Sequence, residues 1–154
     1  MDVKIINPFL EASVNVLNTM AMLKPVAGKP YLKKDNVSYG DISGIIGLAG
    51  EKRGAVVISF SEKCILNIVT SMLGENYTSL DNEDVQSAVG ELVNMISGDA
   101  RTKLEAIGIK LESGLPSVVM GHEHKIKTQS KGHFLVIPFS INKESFVVEV
   151  SFEN

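Results

Sequence analysis

Val85-Gln86-Ser87-Ala88-Val89-Gly90-Glu91-Leu92-Val93-Asn94-Met95-Ile96-Ser97-Gly98-Asp99-Ala100 is the stretch on which the fold turns. On a wheel of about 100° per residue, Val85, Val89, Leu92 and Ile96 lie within about 60° of one another, the apolar stripe of a helix laid on a core. Ser87, Glu91, Asn94 and Gly98 fall together on the far side, about 180° to 240° from Val85. Asp81 is the expected N-cap, with Leu80 and Val85 as a hydrophobic staple and Glu83 and Asp84 at the positive end of the dipole. The helix is expected to run to about Ile107 and to stop at Gly108. A polar row is ordinarily a solvated face. Here, however, Asn94 is a poor helix former and Gly98 costs about 1 kcal/mol relative to alanine, so something other than helix stability has selected them. A glycine one turn after Asn94 also leaves the carboxamide and nearby backbone open to a docking partner.

Upstream, Asn7-Pro8 reads as the start of a first helix, with Asn7 as cap and Pro8 in the first turn, carried by Phe9, Leu10, Ala12, Val14, Leu17 and Met20 to about Met22. Residues 24–36, with Pro25, Gly28 and Pro30, predict a loop or irregular strand. Val37 to Leu48 is a strand broken by Gly40, Gly44 and Gly47, which predicts bulges or a close backbone approach. A hairpin through residues 50–54 leads into Ala55–Phe60, and Ser61 caps a shorter helix that ends at Gly74. Downstream come Ile109–Leu111, a corner at Pro116, Val118–Lys127, His133–Ile141 and the alternating Ser145–Phe152, with a turn at Asn142-Lys143-Glu144. Pro138 inside a strand pattern predicts an edge or bulge. The order predicts an α/β (α+β) fold: a mixed or antiparallel sheet covered by two longer helices and one shorter one. Helix followed by strands occurs twice, with no sequence repeat strong enough to claim.

At 154 residues the chain fits one domain, residues 1–154, and 44% apolar against 21% charged residues supports a packed core. The net charge of −3 argues against nucleic acid as the main partner, which requires a basic face. No apolar run reaches the roughly 18 residues of a membrane span, and the N-terminus lacks the pattern of a secretory leader, so a cytoplasmic protein is expected. The lone Cys64 is expected to be a core residue in a reducing compartment. His122-Glu123-His124 places two imidazoles on one face of a strand without a further ligand cluster. Lys24, Lys29, Lys33 and Lys34 make at most a weak anion patch, a solvated loop being the simpler reading. Glycine-rich phosphate loops and Ser/His/Asp sets are missing from the sequence.

Ser87, Glu91, Asn94 and Pro116, set in Gly90–Ala100, together with Ile6-Asn7-Pro8-Phe9 and the hairpin before Val56, resemble the CheC/CheX/FliY family of bacterial chemotaxis phosphatases over most of the chain. The family pattern is Asp or Ser, Glu four positions on, Asn three further, and a Pro some twenty-odd residues beyond. CheC-type relatives carry a second motif on the first helix. The matching stretch here, Glu11-Ala12-Ser13-Val14-Asn15, has valine where the motif needs asparagine, so one site is implied, the pattern of the CheX branch. The resemblance implies a CheC-like fold, a homodimer joined sheet to sheet with the C-terminal strands as edges, and phosphorylated CheY, a receiver domain, as substrate. It assigns Glu91 to the receiver's active-site lysine, Asn94 to the attacking water, Ser87 and Gly98 to supporting contacts and Pro116 to a nearby turn. No cofactor is expected on this chain; Mg²⁺ is expected on the receiver's own acidic residues. The alternative is a module that binds a receiver or a flagellar-switch component without hydrolysis.

Overall fold

The computed structural model describes residues 3–128 and 132–153. In chain order the elements are α1 (Val3–Ala21), β1 (Val26–Ala27), β2 (Tyr31–Lys33), β3 (Val37–Gly50), β4 (Gly54–Phe60), α2 (Glu62–Leu73), α3 (Glu83–Ala106), β5 (Leu111–Ser113), β6 (Ser117–Lys127), β7 (Phe134–Ile141) and β8 (Glu144–Phe152). The strands form one sheet in the order β1-β7-β8-β4-β3-β5, with β2 also on β7 and β6 also on β3. Every pairing is antiparallel, which resolves the mixed-or-antiparallel expectation.

The pairing scheme has a two-fold pattern that the amino-acid sequence only hints at. Helix, two short or edge strands and a hairpin occur twice, as α1-β1-β2-β3-β4 and α3-β5-β6-β7-β8. Each unit's first two strands pair with the other unit's hairpin, and β4 and β8 meet in the middle with Val57 opposite Glu149. Among the described residues, α2 alone of the helices and strands stands outside the repeat. No helix among the described residues is long and apolar enough to cross a membrane.

The helices cover one face of the sheet. Ile42, Ile46, Val56, Ile58, Ile137 and Val148 meet Phe9, Leu17, Ile65, Val89, Leu92 and Ile96 in one continuous core. Phe60, Phe146 and Phe139 stack in sequence within it, with centroids 5.4 and 4.9 Å apart. Cys64 is buried there as expected; burial, and to a lesser degree the charge of Glu144, push its thiol up to about 12. The opposite face holds a smaller cluster of Val57, Phe134 and Val136. Lys33 lies over the Phe134 ring and pairs with the buried carboxylate of Glu149, so it belongs to this cluster and not to an anion patch. Removing Lys33 would leave the buried Glu149 carboxylate without its counter-ion.

Four local expectations are corrected. The first helix starts at Val3, not at Asn7: Ile5 and Ile6 are buried against the core, and that burial carries the helix through Pro8, which lacks only its own N–H. Asn82, not Asp81, caps α3. Asp81 is taken up in a tight turn where its N–H bonds Ser79, leaving Asn82 as the first extended residue, and its side chain accepts from the Asp84 N–H at 2.8 Å. The C-terminal strands are not sheet edges, because β8 is flanked by β4 and β7, and β7 by β8 on one side and the short β1 and β2 on the other. Pro138 therefore lies inside the sheet. Its missing N–H faces the break between β1 and β2, where the Gly28 N–H donates to the Pro138 carbonyl at 2.7 Å.

Three other expectations hold. Ser61 and Gly74 bound α2, the ladder of β3 shifts register between Gly40 and Ile42, and Asn142 and Lys143 make the final turn, both with positive φ as a type I′ hairpin requires. The close approach expected at the β3 glycines is found at Gly44. A Cβ there would overlap Cγ2 of Val93 and stand 3.1 Å from its Cβ, so α3 rests directly on the backbone of β3. Gly44→Ala should destabilise the chain by about 1–3 kcal/mol through overpacking, and Val93→Ala in the same chain should recover part of that loss. Chemical denaturation of the two single variants and the double variant measures both.

Candidate docking and catalytic face on α3

The seat at Gly44 fixes which side of α3 looks outward. Val85, Val89, Leu92, Val93 and Ala100 are fully buried, while Ser87, Glu91 and Asn94 are exposed and Gly98 is half-buried. With a rise of about 1.5 Å per residue, the four make a row roughly 16 Å long. Among the described residues, the side chains of Ser87, Glu91 and Asn94 have no hydrogen-bond or ion-pair partner. The helix that carries them is held at its start by Asn82 and by Asp84, which accepts from the Tyr77 hydroxyl at 3.1 Å. Three unengaged polar groups thus project from a rigid element.

One flank of the row is α1. The other is β6, which runs antiparallel to α3. Met120 lies against Gln86, whose Nε2 is 3.3 Å from its Sδ and also donates to the Leu80 carbonyl at 3.3 Å. Val118 lies against Gly90, where a Cβ would be 3.6 Å from Cγ2 of the valine. Pro116 immediately precedes the first residue of β6. The expected group therefore divides in a simple way. Ser87, Glu91, Asn94 and Gly98 share one helix face, and Pro116 lies apart from them on the turn that enters β6.

The two histidines do not act as a pair. Gly121 and Glu123 both have positive φ, and this kink sends the imidazoles to different partners. His122 lies between Asp41 (3.3 Å) and Glu62 (3.2 Å), whereas His124 meets the Ser43 hydroxyl at 2.8 Å. No group of three or more potential metal ligands converges among the described residues. Asp41 and Glu62 were not legible as partners of His122. The glycine beside Asp41 signals a bulge, but nothing local signals a contact some eighty residues away. Burial alone would raise the Asp41 pKa; the backbone N–H groups of Glu123 and Glu62, with His122, outweigh it and hold the carboxyl below its ordinary value.

The family model described as chemotaxis phosphatase CheX matches residues 42–140, which include the whole of α3 and Pro116. This chain belongs to the CheX family. A CheX relative named CheY-P phosphatase, from Thermotoga maritima, is 33% identical over 98% of this chain and 97% of its own length. The crystal structure of a CheX from Desulfovibrio desulfuricans superposes with a TM-score of 0.91 at 41% identity, over 97% of this chain and 99% of that one. A CheX-CheY-BeF3-Mg²⁺ complex from Borrelia burgdorferi superposes with a TM-score of 0.83 at 29% identity, over 97% of each chain. The CheC-like α+β architecture expected from the residues is thus shared with CheX structures over almost the full chain.

Asn94 and Gly98 carry a stability cost within α3. Gly98 has room for a methyl group, the nearest atom to an added Cβ being Arg101 Nη2 at 3.9 Å. Gly98→Ala should therefore stabilise the chain by up to about 1 kcal/mol, and Asn94→Ala by about half that. Both shifts are read from the midpoint of denaturant unfolding.

Proposed function

We propose that this chain, as a CheX-family phosphatase, hydrolyses the aspartyl phosphate of a phosphorylated CheY receiver through Glu91 and Asn94. The observation that carries the residue assignment is the placement of both side chains, unengaged, in one row on the outward face of a firmly seated helix. An acyl phosphate is already activated, so the catalyst has mainly to hold a water in line and stabilise developing charge. The water oxygen attacks phosphorus, the bond from phosphorus to the aspartyl oxygen breaks, and inorganic phosphate and the free carboxylate leave with the water's protons. Asn94 suits the positioning step because its carboxamide both accepts and donates hydrogen bonds, while it cannot take a proton near pH 7.

Glu91, one turn before Asn94, pairs with the receiver's active-site lysine and sets the helix against the acyl phosphate. Shielded at an interface, such a pair contributes more than the roughly 0–1 kcal/mol of an exposed one. Ser87 and Gly98 extend the contact at either end of the row, and Pro116 shapes the turn that enters β6. The Borrelia burgdorferi complex, which holds CheY, beryllofluoride and Mg²⁺ with a relative of this chain, supports a receiver partner that carries the metal itself. We further propose a homodimer that joins through the outer edge of β6, since an 11-residue strand with most side chains exposed is a template for a second copy.

The decay of phosphorylated CheY, with and without catalytic amounts of the chain, tests the proposal. Wild type should accelerate decay, Asn94→Ala should abolish the acceleration while leaving receiver binding within about threefold, and Glu91→Ala should weaken both. Unchanged acceleration with Asn94→Ala would overturn the catalytic assignment. Binding by wild type without acceleration would favour the non-catalytic docking module.

A further inference from the structure

A crevice of about 490 Å³ is lined by Tyr39, Asp41 and Lys125 from β3 and β6 and by Ser59, Phe146 and Val147 from β4 and β8. Its size is that of a small-molecule site. None of its lining residues belongs to α3, so it is separate from the row of Ser87, Glu91 and Asn94. The register shift between Gly40 and Ile42 builds one wall of it. A Cβ on Gly40 would stand 3.1 Å from the Ser59 Cβ, so the first half of β3 passes directly over the end of β4.

Two opposite charges share this crevice without pairing. The Asp41 carboxylate accepts from the backbone N–H groups of Glu62 at 2.8 Å and Glu123 at 2.9 Å and meets His122 at 3.3 Å, which fills three of its roughly four acceptor positions and leaves one. The Lys125 ammonium lies over the ring of Tyr39, its cross-strand neighbour, 5.9 Å from the centroid, and has no ion pair among the described residues. Opposite charges in a partly shielded cleft attract strongly enough to close into a pair. Here the backbone holds one and an aromatic ring the other, so a gap remains between them. Ser59 adds an acceptor of fixed polarity. The Nδ1 of His124 lies 3.0 Å from the Gly121 carbonyl, which can only accept, so Nδ1 carries the ring proton and Nε2 of the neutral ring accepts from the Ser43 hydroxyl at 2.8 Å. Ser43 has then spent its proton, and Ser59 donates to it at 2.8 Å. What Ser59 has left to offer the crevice is lone pairs.

We infer that this crevice binds a zwitterion, an α-amino acid with an apolar side chain, whose ammonium bridges Asp41 and Ser59, whose carboxylate takes Lys125 and whose side chain lies on Phe146 and Val147. A cation alone would leave Lys125 without a partner, and an anion alone would leave the free position of Asp41 and the lone pairs of Ser59 unmatched. Glu123, also at the crevice, is exposed and stays in water. The inference does not rest on the proposed docking at α3. It is compatible with a dimer through the outer edge of β6, because Lys125 reaches back across the ladder to Tyr39 and not outward.

The test titrates the full chain by calorimetry with L-leucine, with 4-methylpentanoate, which lacks the ammonium, and with 3-methylbutylamine, which lacks the carboxylate. Leucine should bind with a Kd of about 1 mM or tighter, and each of the two analogues at least about tenfold more weakly. Lys125→Gln should weaken leucine at least about fivefold and leave 3-methylbutylamine unchanged, while Ser59→Ala should weaken leucine and the amine alike. The unfolding midpoint of Lys125→Gln should match wild type, because the side chain is exposed and makes no ion pair within the described residues. No binding of leucine up to about 20 mM would overturn the inference. So would binding of the amine or of the carboxylate as tight as that of leucine, and so would an unchanged leucine affinity in Lys125→Gln.

Discussion

The contact between Val93 and the bare backbone of Gly44 sets the height and the roll of α3 on the sheet. Any side chain at residue 44 would lift the helix from β3, because Val93 already occupies the space where its Cβ would be. With that seat fixed, periodicity does the rest. Val85, Val89, Leu92 and Ile96 point into the core, and Ser87, Glu91 and Asn94 can only point away from it. The same placement brings β6 alongside the helix, so that Val118 meets Gly90. A face built in this way needs no loop to close over it, and its precision is that of the packed helix beneath.

The two-fold scheme of the sheet explains why one such face is present and not two. Val3 and Glu83 open the related helices 80 residues apart, and the same offset takes Glu91 to Glu11 and Asn94 to Val14. Glu11 is exposed like its counterpart, but Val14 is partly buried and packs against the main core. On α1 the position that could have held a carboxamide adds to apolar burial. On α3 the helix carries an asparagine and a glycine that lower its intrinsic stability, and the core below it bears the difference.

Much of this was legible in the residues because it is local. The period of 3.6 in α3, the serine cap and glycine stop of α2, the alternation in β8 and the turn at Asn142-Lys143 all depend on neighbours within a few positions. The polar row was visible for the same reason, since a helical wheel requires no tertiary information. What was missed depends on long-range pairing. Alternation in β8 reads the same whether the strand is central or at an edge, and only its pairing with both β4 and β7 decides. Pro8 reads as a helix start because local rules place proline there, yet the burial of Ile5 and Ile6 carries the helix one turn further back. Lys33 reads as a loop lysine until Glu149, 116 positions later, is found beneath it.

The chemistry proposed for this face is modest: to hold a water and a lysine in register with a phosphate that the partner supplies. That demand fits a flat, exposed, rigid row better than a pocket. The most direct test is to map backbone amide shifts of the chain by nuclear magnetic resonance as CheY carrying beryllofluoride and Mg²⁺ is added. The account predicts perturbations centred on Ser87–Gly98 of α3. Perturbations centred on the outward face of α1, or on the sheet face that carries Lys33 and Tyr39, with α3 silent, would contradict it.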